Sequence, residues 1–151
     1  MARTLRKSKG RADSGPVTVI PKALLESEEY AALTAHEVRL LIDILVQFNG
    51  YTNNGDLQCT WREMQKRGWR SRDTLARALH GLLDKGFIVK TRQGGKHRCS
   101  LYGVTWVEIH ECKGKLDVKP TRLALGSWRN KSVPRLPWQC TTAAVLKVVA
   151  K

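Results

Sequence analysis

Residues 60–104 read TWREMQKRGWRSRDTLARALHGLLDKGFIVKTRQGGKHRCSLYGV. Ser71 is a residue type that caps helix N-termini, and Gly86 is the type that ends helices in a left-handed turn. Between them Leu75, Ala78, Leu79, Leu82 and Leu83 recur at i, i+3, i+4, i+7 and i+8. That spacing predicts a helix over 72–85 with one core-facing stripe. Asp73, Arg77, His80 and Asp84 fall on the opposite side. Before it, Thr60-x-x-Glu63 has capping-box spacing and predicts a short helix over 61–66, stopped by Gly68. After it, residues 87–92 read as a strand, Gln93-Gly94-Gly95-Lys96 as a hairpin turn and residues 97–104 as the return strand. Residues 106–109 extend that strand or pair elsewhere.

Working outward, Thr34-x-x-Glu37 is a second capping box, opening a helix over about 35–48. Val38, Leu41, Ile42, Leu45 and Phe48 repeat at helical spacing, and Leu40 and Ile44 widen the stripe. A helix this apolar around its girth is expected at the centre of the core. Residues 57–59 suit a short strand. Residues 17–20 are a β-prone run ended by Pro21, and residues 23–32 suit one or two helical turns with Glu26, Glu28 and Glu29 exposed. Residues 1–16 are read as a disordered basic tail. From Lys113 the period is lost, and Pro120, Pro134 and Pro137 interrupt the chain. Residues 113–151 are therefore read as an irregular basic arm holding Trp128 and Trp138, with a short apolar helix or strand over 141–150. The folded unit is placed at 17–112.

The order helix, short strand, short helix, turn, helix, hairpin makes the fold class α+β. It is the layout of a winged helix-turn-helix: a three-helix core plus a β-hairpin wing. The stretch NNGDLQCTWREMQKRGWRSRDTLARALHGLLDKGFIVKTRQGGKHRCSLYGVTW resembles the winged helix-turn-helix DNA-binding proteins of bacteria, in particular those carried by proteobacterial prophages and mobile elements. The likeness extends over roughly residues 15–138 and implies the fold more than the target.

Charge supplies an independent argument. The chain of 151 residues has 27 Lys and Arg against 13 Asp and Glu, a net charge of +14. A folded protein so basic commonly has a polyanionic partner. The excess comes in blocks: +4 over residues 1–16, −3 over 17–55, +7 over 56–98, −2 over 99–112 and +6 over 113–138. An acidic scaffold flanked by basic segments suggests a binding surface with two arms. No apolar run is long enough to span a bilayer, and the basic N-terminus has no apolar stretch behind it. A cytoplasmic, nucleoid-associated location with no membrane partner is expected.

A DNA major groove is about 12 Å wide and admits one helix, whose outer face must be polar. The N-terminal half of such a helix contacts bases in helix-turn-helix proteins. The base-reading set is therefore Arg70, Ser71, Arg72, Asp73, Thr74, Arg77 and His80. Arg62, Lys66 and Arg67 before the helix, and Arg92, Lys96, His97 and Arg98 in the hairpin, are assigned to phosphates or the adjacent groove. Trp61, Trp69 and Trp106 are read as core residues; Trp128 and Trp138 divide evenly between packing and stacking on bases or a partner.

Cys59, Cys99, Cys112 and Cys140 form no CxxC pair and are read as reduced thiols. His97-x-Cys99 and His110-x-Cys112 have strand spacing for a Cys2His2 zinc set, but zinc modules carry tighter pairs, so no metal or cofactor is expected. There is no GxSxG, Walker A, HExxH or paired-carboxylate pattern, and no catalytic role is assigned. The expected function is sequence-specific binding of double-stranded DNA by a small transcriptional regulator of phage or mobile-element origin, with a homodimer through residues 17–33 or 139–151 compatible with it. The alternatives are a replication-initiation or partition protein, and a winged-helix interaction protein that blocks a host protein or RNA.

Overall fold

A computed structural model describes residues 17–129. The readings of the basic tail, of Trp138 and Cys140, and of the apolar segment at 141–150 lie outside the described residues. The chain forms α1 (Lys22–Leu25), α2 (Glu28–Ala31), α3 (Ala35–Leu45), β1 (Leu57–Gln58), α4 (Trp61–Lys66), α5 (Arg72–Asp84), β2 (Ile88–Arg92) and β3 (Leu101–Val104). The fold class is α+β, as expected. The three strands make one antiparallel sheet in the order β1-β3-β2.

The capping box of α3 is formed: Thr34 Oγ1 accepts from the Glu37 N–H at 3.3 Å, and Glu37 Oε2 accepts from the Thr34 N–H at 2.6 Å. Leu40, Leu41, Ile44 and Leu45 are buried against Leu75, Ala78 and Leu82 of α5 and Ile88 and Val104 of the sheet, in one continuous core. Two expectations for this helix are corrected. It is not apolar-packed on all sides, since Ile42 and Val46 are 43% and 56% exposed. It also stops at Leu45 and tightens, the Gln47 and Phe48 N–H groups donating to the carbonyls three residues back, of Ile44 and Leu45. The Gln47 amide exchanges two hydrogen bonds with the backbone of Gln58, at 2.8 and 2.9 Å, and Asn53 Nδ2 donates to the Gln47 carbonyl at 2.7 Å.

Other local readings fail for want of a partner. Residues 17–20 pair with no strand, and Val17 and Val19 lie exposed. Thr60 sits at the N-cap of α4, but its side chain makes no capping bond; Glu63 instead pairs with Lys66 at 2.8 Å. The return strand begins at Leu101 rather than 97, and residues 95–98 close the turn through an isolated Gly95–Arg98 bridge. The register slips between Lys90 and Arg92. Thr91 turns inward there, and its hydroxyl donates to the Gly55 carbonyl at 2.5 Å. Residues 106–109 form no strand, because buried Asn54 takes the Val107 and Glu108 carbonyls and Thr121 takes the N–H and carbonyl of Ile109. Asn54 Nδ2 donates to the carbonyls of Val104, Val107 and Glu108 at 2.9–3.0 Å, while its Oδ1 accepts from the Val104 N–H at 2.8 Å.

The chain after Lys113 is irregular but returns to the fold. The Asp117, Thr121 and Gly126 N–H groups donate to the carbonyls of Thr91, Ile109 and Thr105. Trp128 is 5% exposed and belongs to the core, which settles its reading in favour of packing.

Candidate nucleic-acid interface

Helix α5 is delimited as its sequence requires. Ser71 Oγ accepts from the Thr74 N–H at 3.2 Å, and Gly86 follows the C-cap with φ +75°, a conformation glycine adopts at little cost. Leu75, Ala78 and Leu82 are buried, with Leu79 and Leu83 partly so. Gly81 lets α3 come unusually close: a Cβ there would lie 1.7 Å from Glu37 Oε1. Glu37 is buried and pairs with Lys85 Nζ at 2.7 Å. Burial pushes its carboxyl pKa up, but hydrogen bonds from Lys85 and Thr34 outweigh this and hold it below the ordinary value. The leucine stripe and this pair together fix the roll of α5, and so decide which residues face outward.

The turn from α4 into α5 is tied to α3. Gly68 has φ +86°, and Arg39 Nη2 donates to the Arg67 carbonyl beside it at 2.7 Å. The buried Trp69 indole donates to Asp43 Oδ2 at 2.8 Å, and Arg67 Nη1 stands 3.6 Å from Asp43 Oδ1. Trp69 is core, as expected, while Trp61 and Trp106 are half-buried and pack against the core.

On the outward side, Arg70, Ser71, Arg72, Asp73 and Arg77 are all exposed and share the first half of α5 and the turn before it; His80, also exposed, lies just past the middle of the helix, and Thr74 is half-buried. Several have partners already. Arg72 lies over the Trp61 ring at 5.4 Å, and Arg77 pairs with Asp73 at 2.8 Å. Both members of that pair are about three-quarters exposed, and such pairs contribute little, so Arg77 is readily released. His80 Nδ1 stands 2.8 Å from the Ala76 carbonyl. A carbonyl only accepts, so Nδ1 is the donor in this contact, and in the matching uncharged tautomer Nε2 is an acceptor.

Of the backbone set, Arg62 is exposed, Lys66 pairs with Glu63, and Arg67 is shared with Asp43. Lys96, His97 and Arg98 are exposed at the hairpin turn. Arg92 differs from them: its guanidinium donates to the Cys99 carbonyl at 3.1 and 3.3 Å and to the Lys115 carbonyl at 3.5 Å, bracing the hairpin.

Sequence reasoning missed His36 and Arg39, which reach the same region from α3. The signal was there, since His36, Arg39 and Asp43 fall at i, i+3 and i+7, a polar stripe on a helix read as wholly core. Among the described residues, no group of three His, Cys, Asp or Glu is placed to hold a metal ion. The His110 ring accepts from the Asn54 N–H at 3.0 Å through Nδ1, and Cys112 Sγ lies 3.6 Å from the Asn54 carbonyl. Burial, reinforced by nearby Asp43, pushes the Cys59 thiol up to about 12. No described helix is long and apolar enough to cross a membrane. Comparison with known protein families, characterised proteins and solved structures yields no match.

Proposed function

We propose that this chain is a winged-helix protein that binds double-stranded DNA in a sequence-specific manner, with α5 as the recognition helix and the β2–β3 hairpin as the wing. The observation that carries the reading is the division of α5. Its leucine side is locked into the core, while Arg70 just before the helix, Arg72 and Arg77 in its first half and His80 just past its middle stand exposed. A 13-residue helix held by one face has the size and polarity a major groove accepts. The donors Arg72 and Arg77 suit guanine O6 and N7, and the His80 acceptor suits an exocyclic amine of adenine or cytosine. Lys96, His97 and Arg98 contact phosphates or the neighbouring minor groove.

The charge of the chain and its resemblance to prophage-borne winged-helix proteins favour a small transcriptional regulator of mobile-element origin. An origin-binding or partition protein uses the same contacts and differs in where its site lies. The test is equilibrium binding to duplex DNA across a salt series. With about 6–10 phosphate contacts, affinity falls of order a thousandfold or more between 50 and 200 mM salt. A flat dependence overturns the reading and favours a protein partner.

A further inference from the structure

Between α3 and the start of α5 lies an open groove of about 350 Å³, lined by His36, Arg39, Trp69, Arg70, Ser71 and Thr74. We propose that this groove is a phosphate-binding site in which Arg39 and Arg70 hold a single phosphate together. The proposal rests on the DNA-binding reading and adds to it a backbone contact contributed by α3.

Arg39 is held before any ligand arrives. Its Nη2 donates to the Arg67 carbonyl at 2.7 Å, its Nε stands 3.9 Å from Asp43, and its guanidinium lies over the Trp69 ring at 5.2 Å. Even so, the side chain is 48% exposed. A guanidinium fixed in this way loses little further freedom when it grips an anion. Arg70 is exposed, and no described residue pairs with it. The Ser71 hydroxyl accepts from the Thr74 N–H, which leaves its own hydrogen to donate. The exposed His36 ring stands 6.2 Å from Trp69 and can add another donor.

The acids nearby do not compete. Asp43 is occupied by the Trp69 N–H, Arg67 and Arg39, and is not part of the lining. Asp73 is turned to Arg77. The groove thus offers two guanidinium groups and a hydroxyl; the one carboxylate beside them, Asp43, lies outside the lining and is shared among Arg39, Arg67 and the Trp69 indole. That set matches an anion with several oxygens, and arginine forks favour phosphate. Because the groove is open, a phosphodiester can pass through it, so the phosphate of a duplex and free inorganic phosphate share this chemistry.

The experiment has two arms on the full chain. In the first, inorganic phosphate is titrated against chloride at matched ionic strength and followed by amide and guanidinium NMR. Saturable shifts at Arg39, Arg70 and Ser71, lost in Arg70→Ala, are expected. In the second, random-sequence duplex is bound by wild type, Arg39→Gln, Arg70→Ala and the double variant across a salt series. Each single change is expected to weaken binding several-fold. The double variant is expected to lower the salt slope by about 0.9, the value for one phosphate rather than two. Arg70→Ala touches no packed group, and Arg39→Lys with melting curves separates charge loss from loosening of the turn.

A steep wild-type slope that the variants leave unchanged, or that the double variant lowers by twice that amount, overturns the shared site and leaves the DNA reading standing. Saturable phosphate shifts without duplex binding uphold the site for free phosphate and overturn the DNA reading. Absence of both signals overturns the proposal.

Discussion

Replacing Gly81 by alanine should destabilise this protein, although the same change in an exposed helix interior gains about 1 kcal/mol. The added Cβ would sit 1.7 Å from Glu37 Oε1 and 2.7 Å from its Cδ, where 3.0 Å is the closest real approach. The carboxylate must retreat, and its other oxygen then pulls away from Lys85 at 2.7 Å and from the Thr34 N–H at 2.6 Å. Overpacking of this kind costs about 1–3 kcal/mol, and a damaged cap adds about 0.5–2 kcal/mol. After subtracting the propensity gain, the net loss is about 0.5–4 kcal/mol. At roughly 4 °C per kcal/mol for a chain of this size, Tm falls by about 2–16 °C. Thermal melting followed by circular dichroism measures it. In a Glu37→Ala background the obstruction is gone, and Gly81→Ala should become neutral or stabilising. A Gly81→Ala single variant that melts at or above wild type would refute the close α3–α5 packing.

Glu37 also predicts a pH dependence. Because its folded pKa is held below the ordinary 4.5, its contribution is complete above that value and is lost as pH falls through the lower folded one. The stability difference between wild type and Glu37→Gln, from denaturant titrations, should be constant near neutrality and shrink below about pH 4.5; a difference that widens in acid contradicts the pairing. Arg77→Ala should cost about 1–3 kcal/mol on a selected DNA site and much less on random duplex, whereas Lys96→Ala should weaken both equally and lower the salt slope by about one. Equal losses for Arg77→Ala on both duplexes would remove it from base reading. With its thiol pushed up to about 12, Cys59 should be the slowest of the described cysteines to react with iodoacetamide at about pH 8, by peptide mapping. Rapid labelling in the folded protein would show that it is not buried as described.

What the sequence made legible was what depends on near neighbours. Helix α5 carries its cap at Ser71, its stripe at Leu75–Ala78–Leu82 and its stop at Gly86 within one short segment, and all three are formed. The capping box at Thr34 was legible for the same reason; its copy at Thr60 was not formed, because Glu63 found Lys66 instead. Features made by distant pairs were invisible. No local pattern marks Asn54 as the group that ends the sheet, or Trp128 as core. Nothing near Gly81 in the sequence explains a glycine inside a helix; the reason appears only when Glu37, 44 positions earlier, lies against it. At the candidate site, the composition of the exposed face and the i,i+4 pair Asp73–Arg77 were readable, but the engagement of Arg72 and Arg92 and the arrival of Arg39 from α3 depend on contacts between elements.

The most direct test of DNA recognition by α5 is selection of binding sites from a randomised duplex pool, followed by methylation interference on the enriched site. Recognition by α5 predicts one enriched motif whose guanine N7 methylation blocks binding by wild type, and loss of that enrichment in a folded Arg72→Ala, Arg77→Ala double variant. A pool that stays random with wild type, or a motif that the folded double variant selects equally well, would contradict it.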